Sequence, residues 1–156
     1  MNNTLKFLII HCTATKEGLD VSAKAIVDYH TKPVSQGGRG WSRPGYSELC
    51  LLDGTMVNLR PYDEDNLVSP AELTNGAVGY NYCSRHICYV GGLDENGKPK
   101  DTRTEKQKEA LADYVKMFHA LHPAAVILGH RDLPGVCKAC PSFDVKNWLK
   151  EIGIKQ

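Results

Sequence analysis

The chain has 156 residues, 42% of them apolar and 24% charged, with nineteen basic side chains against eighteen acidic and a formal charge of +1. So even a balance leaves no basic footprint for nucleic acid or an anionic membrane surface, and no run approaches the roughly 18 apolar residues of a membrane span. A chain of this length hides about 68–70% of its unfolded surface, so a single domain over residues 1–156 is expected, with a core that needs no disulfide staples.

The first twelve residues, MNNTLKFLIIHC, lack the charged start, long apolar middle and small-residue cleavage site of a secretion signal. Synthesis in the cytoplasm is therefore expected. Within that stretch LKFLIIH reads as a buried strand ending in His11. Ser22 opens a helical pattern that runs to about residue 30 and stops before Pro33. The glycine-rich QGGRGWSRP, residues 36–44, must be loop. Residues 46–52 read as a strand, Asp53-Gly54 as a turn and residues 55–60 as the returning strand.

Residues 60–74 are polar and irregular, and residues 87–91 form the next apolar strand. Thr104-x-x-Gln107 is a capping box that opens a long helix to about residue 122. Leu111, Tyr114, Val115, Phe118 and Leu121 share one face of it. Residues 124–128 read as a strand running into Gly129-His130, and Ser142 as the cap of a last helix, residues 143–152, closed by Gly153. Strands and helices alternate without repeats or linkers. The expected class is α/β, a single domain with a central mixed β-sheet flanked by α-helices.

Two strands thus end in histidine, His11 and His130. By alternation His11 shares a face with Phe7 and Ile9, and His130 with Val126 and Leu128. In α/β sheets ligands gather at the carboxyl ends of strands. A lone strand-end histidine ordinarily does no more than satisfy a loop carbonyl. Cys140, ten residues after His130, changes the weighting, because two imidazoles and a thiolate are three zinc ligands with a fourth position for water. Cys137 in the same C-x-x-C would close that position, and spacing alone leaves both arrangements open. A redox dithiol is the weakest reading, since Pro141 follows directly where a helix start is wanted.

Of the six cysteines, Cys12, Cys50 and Cys88 sit in apolar runs and are expected as free buried thiols. His119 and His122 are spaced i, i+3, but a frayed helix end before Pro123 accounts for them as well as a ligand pair does. Trp41 and Arg39 either contact a substrate or anchor their own loop, and Trp148 is expected in the core.

Five segments carry a resemblance: HCTAT (11–15), GYSELCLLDGT (45–55), GYNYCS (79–84), CYVGGLDENGK (88–98) and KACPSFDVKNWL (138–149). In content and order they resemble the zinc-dependent N-acetylmuramoyl-L-alanine amidases, the group that includes small phage lysozymes and animal peptidoglycan recognition proteins. The resemblance spans residues 5–150. It implies one Zn²⁺ per chain with His11, His130 and Cys140 as ligands, Tyr46 and Lys138 as catalytic residues, and no ligand role for Cys137. It implies zinc-activated water hydrolysing the amide between N-acetylmuramic acid and the L-alanine of the peptidoglycan stem peptide, with zinc and Lys138 stabilising the oxyanion.

A phage or prophage endolysin is the kind of enzyme so implied, reaching the wall through a holin-like or other export route. Its partner would be the muropeptide, with no nucleic acid or membrane partner and a monomeric state. The alternative is a non-catalytic peptidoglycan-binding or regulatory protein on the same fold; such members lose the thiolate or the tyrosine, and this chain keeps both. Three departures stand beside the match. Ser47-Glu48 replaces a histidine and an aromatic, Gly76 stands where many members carry a histidine, and Arg85-His86 replaces Ile-Gly.

Overall fold

The computed structural model describes residues 1–156. In chain order the strands are β1 (Asn3–Thr4), β2 (Phe7–Cys12), β3 (Thr15–Lys16), β4 (Glu48–Cys50), β5 (Met56–Asn58), β6 (Leu67–Val68), β7 (Ser84–Tyr89), β8 (Gly92–Leu93) and β9 (Val126–Gly129). The helices are α1 (Ala23–Thr31), α2 (Glu105–Leu121) and α3 (Val145–Glu151). The main sheet has five strands in the order β5-β4-β7-β2-β9. Its β4, β7, β2 and β9 run parallel, and β5 returns antiparallel beside β4. Two short ladders, β1 with β6 and β3 with β8, lie outside it.

The central place of β2 follows from its sequence. Leu8, Ile9 and Ile10 are fully buried, as a strand covered on both faces requires. Alternation then divides the faces. Leu8, Ile10 and Cys12 join Cys50, Ile87, Tyr89 and Ile127 beneath α2 and α3. On the opposite face, Ile9 packs with Ala77 and Leu133, and Leu49, Cys88 and Val90 pack with Ile26 of α1. The face beneath α2 and α3 holds the large core; the other is thinner and leaves room for a cleft.

Helix α1 begins as expected, with the Ser22 hydroxyl accepting the Ala25 N–H. The capping box of α2 is present in both directions. Its Gln107 also donates from Nε2 to the carbonyls of Cys50 (3.3 Å) and Val90 (3.0 Å), tying the helix start to the ends of β4 and β7. Leu111, Tyr114, Val115 and Phe118 are buried, but Leu121, in the last turn, is 46% exposed. At the outer edge of β9 the Gln156 amide accepts the Ile127 N–H (2.8 Å) and donates to the Ile127 carbonyl (2.5 Å), covering polar groups an edge strand would leave open.

Several boundaries differ from expectation, each for a local reason. The strand expected over residues 46–52 narrows to β4, although Ser47 N–H already bonds the His86 carbonyl (2.8 Å). The strand expected from residue 87 begins at Ser84, its polar start buried by specific partners: Arg85 bonds Glu64 (3.0 Å) and the Asp63 carbonyl (2.9 Å). Asp144, not Ser142, caps α3, accepting the Asn147 N–H (3.0 Å). Ser142 is turned to φ 68° and donates its N–H to the Ala139 carbonyl instead. His122 is not frayed; it is buried and bonded to Asn66 (2.9 Å) and Glu64 (2.9 Å). Trp148 is in the core, and all six cysteines are free, with Cys12, Cys50 and Cys88 buried.

Candidate metal centre and active-site cleft

Parallel neighbours end on the same side. Because Ile10 of β2 stands opposite Gly129 of β9, the next residues, His11 (still in β2, opposite Cys88 of β7) and His130 (just past β9), lie side by side with ring centroids 4.6 Å apart. Cys140 reaches them on a loop that turns back. Its carbonyl accepts the Arg131 N–H (2.8 Å), and Tyr89 Oη donates to the next carbonyl, that of Pro141 (2.6 Å). Gly129 permits this return: a Cβ there would stand 2.8 Å from Pro141 Cδ and 3.1 Å from Val145 Cγ2. The Cys12 N–H then points at Cys140 Sγ (3.3 Å), a donor suited to a thiolate.

The ligating atoms of His11, His130 and Cys140 all lie within 4.8 Å of one another. Three donors around one tetrahedral zinc stand about 3.5 Å apart, and His11 Nδ1 lies 3.8 Å from Cys140 Sγ. The donor set of two imidazoles and one thiol is one that zinc takes, with a fourth position free for water. The residues present therefore fit the ion. Cys137 is exposed and is not part of the cluster.

Both imidazoles are in the form a metal needs. Burial, followed by the neighbouring charges of His86, His130 and Lys138, holds His11 well below the usual histidine range. Burial and then Lys138 lower His130. Without a cation the Cys140 thiol is held protonated by its hydrogen bond with Cys12 and by burial. A bound divalent ion reverses that preference, so binding expels a proton.

Tyr46 stands two residues before β4 rather than within it, half-buried, its ring centroid 5.1 Å from that of His11. Burial raises its phenol well above the usual range, with Cys88 the next cause, so it stays a donor. Lys138 is exposed at the rim, lining the same cleft as His11, His130 and Cys140. The far wall carries Tyr29, His30, Arg39, Trp41 and Asn75. Trp41 stacks on His30 (4.9 Å) and carries the Arg39 guanidinium (4.9 Å), so this pair both anchors its own loop and faces the cleft.

Two histidines here were not expected from the sequence as site residues, although His86 stood out as a departure from the family pattern. His30 accepts the Gly45 N–H on Nδ1 (3.1 Å) and meets Tyr46 edge-on at 5.2 Å, so it holds the tyrosine's loop. His86 stands behind His11 at 2.9 Å, on the face of β7 shared with Cys88. Parity with Cys88 was the available signal for His86, hidden because the strand appeared to begin one residue later.

These histidines make the metal-free fold acid-sensitive. Burial brings His30 to about 4 and His86 to about 3, with His11 and His130 lowered in the same direction. Below about pH 6.5 the unfolded chain takes up protons that the folded chain refuses, so stability is complete above that value and falls as pH drops toward the folded values. All four shifts act in the same direction, so the loss deepens as the pH falls. Urea unfolding of the metal-free protein is expected to show a marked loss between about pH 7.5 and pH 5; a flat profile would contradict the buried neutral histidines.

A family model described as N-acetylmuramoyl-L-alanine amidase matches residues 1–143. The chain is 36% identical over 141 residues to the endolysin of Enterobacteria phage K11, covering 90% of this chain and 83% of that one. Among solved structures, the amidase LysC of Clostridium intestinale superposes with a TM-score of 0.71 at 19% identity, over 98% of this chain and 88% of that one. The Ph2119 endolysin of a Thermus scotoductus bacteriophage superposes with a TM-score of 0.70 at 22% identity, over 97% and 86%.

Proposed function

Because the chain belongs to the N-acetylmuramoyl-L-alanine amidase family, we propose that its cleft works with one zinc ion held by His11, His130 and Cys140. The protein is a peptidoglycan hydrolase, and the bond it cleaves joins N-acetylmuramic acid to the L-alanine of the stem peptide. The observation that carries the metal reading is the convergence of the three ligating atoms within 4.8 Å at the end of two parallel strands, in a cleft open to solvent.

A zinc ion in such a site supplies a water nucleophile near neutral pH and polarises the scissile carbonyl. The chain's own groups do the rest. The Lys138 ammonium, free at the rim, faces the negative charge that develops on the carbonyl oxygen. The Tyr46 phenol, kept protonated, donates a hydrogen bond toward the same region. Arg39 and Trp41 border the path of the muropeptide, giving a planar cation and an apolar face for its acidic and sugar parts. We assign catalysis to residues 1–156 as one domain and expect a monomer. No helix is long and apolar enough to cross a membrane, and the protein is proposed to meet its substrate at the cell wall after export.

Metal analysis of the purified protein tests the cofactor. About one zinc per chain is expected, with hydrolysis lost on chelation and recovered on adding zinc back. Full hydrolysis by protein stripped of metal would overturn the zinc reading while leaving the fold and family untouched.

A further inference from the structure

His11 has two ring nitrogens with different neighbours. Nδ1 faces Cys140 Sγ, and Nε2 faces His86 Nδ1 at 2.9 Å. An imidazole that ligates through Nδ1 must carry its hydrogen on Nε2, and that hydrogen needs an acceptor. We propose that His86 is a positioning residue for the metal site: its Nδ1 accepts the Nε2 hydrogen of His11 and so keeps the Nδ1 lone pair of His11 turned toward Cys140. The proposal rests on the reading that His11 is a metal ligand.

If His86 Nδ1 accepts, its own hydrogen sits on Nε2, and His86 Nε2 is a buried polar atom with no hydrogen-bond partner. The side chain is fully buried. An unpaired buried donor is destabilising, so a side chain serving packing alone would be better without it. Space for the ring is made by Gly76, where a Cβ would stand 2.3 Å from His86 Nδ1 and 2.5 Å from Cγ. The His86 carbonyl, accepting the Ser47 N–H (2.8 Å), holds the backbone in register. Metal-ligating histidines usually lean on a carboxylate or carbonyl for this purpose; here a second imidazole takes that place.

Zinc affinity of the full-length protein, measured by competition with a chromophoric chelator, separates this role from packing. His86→Leu is expected to weaken zinc binding about 10–100-fold, while the melting temperature of the metal-free protein stays close to that of the parent, because the unpaired Nε2 of His86 is exchanged for an unpaired Nε2 on His11. His86→Gln, whose carbonyl oxygen can accept the same hydrogen, is expected to recover most of the affinity. Gly76→Ala, which touches neither histidine chemically but crowds the ring, is expected to weaken binding as His86→Leu does. Zinc binding by His86→Leu within about twofold of the parent, well below the weakening expected for such a partner, would overturn the proposal. Should that variant not fold, Gly76→Ala binding as tightly as the parent would overturn it. Cys140→Ala is the control: a parent that binds zinc no better than Cys140→Ala refutes the metal reading itself, whereas dependence on Cys140 without dependence on His86 refutes only the role of His86.

Discussion

Cys140→Ala is expected to lose both zinc and amidase activity, while Cys137→Ala keeps most of both. The two cysteines share one C-x-x-C but not one environment. Cys140 Sγ is 3.3 Å from the Cys12 N–H and 3.8 Å from His11 Nδ1, inside the ligand cluster; Cys137 is exposed and outside it. Removing a thiolate leaves two imidazoles, too few for a tight site of the kind zinc prefers. Metal content and hydrolysis are read on the same preparations. Equal losses in the two variants would mean that both thiols bind the ion and that the fourth position is closed to water.

The second large effect lies beside the metal. Lys138→Ala and Tyr46→Phe are each expected to lower kcat by about 10²–10³-fold, the usual result of removing one donor from a developing oxyanion. Zinc content should stay at the parent level, because neither side chain belongs to the ligand cluster. A fall in KM-dependent binding with kcat intact would instead place the residue in substrate binding. Tyr46→Phe is the cleaner probe, since the ring keeps its contacts with His11 and His30 while only the hydroxyl goes.

How far the sequence alone leads depends on where the information lies. His11 and His130 were legible as strand ends because FLII and AAVIL are continuous apolar runs, and such runs belong to buried parallel strands. Their neighbourhood follows once β2 and β9 pair in parallel. The place of Cys140 was not legible from spacing, since its loop is returned by contacts far away in sequence, Tyr89 with Pro141 and Gly129 with Pro141. Only the family resemblance chose it over Cys137.

Polar residues hid the rest. Ser84, Arg85 and His86 look like loop, yet all are buried strand: their backbone pairs with β2, Arg85 bonds Glu64 and the Asp63 carbonyl, and His86 meets His11. Two departures noted in the sequence, the glycine at 76 and the histidine at 86, turn out to be one feature: the ring of His86 occupies the space beside Gly76. Ten residues apart in the chain, they gave no sign of that. Ser142 and Asp144 show the same limit at small scale, since either can cap a helix and only the turn that delivers Cys140 decides between them.

Digestion of purified peptidoglycan by the zinc-loaded protein, with mass spectrometry of the products, tests the central claim most directly. The expected products are free stem peptides whose first residue is L-alanine, beside glycan chains left uncut, with none formed after chelation. Cleaved glycan fragments with new reducing ends, or product formation indifferent to zinc, would contradict it.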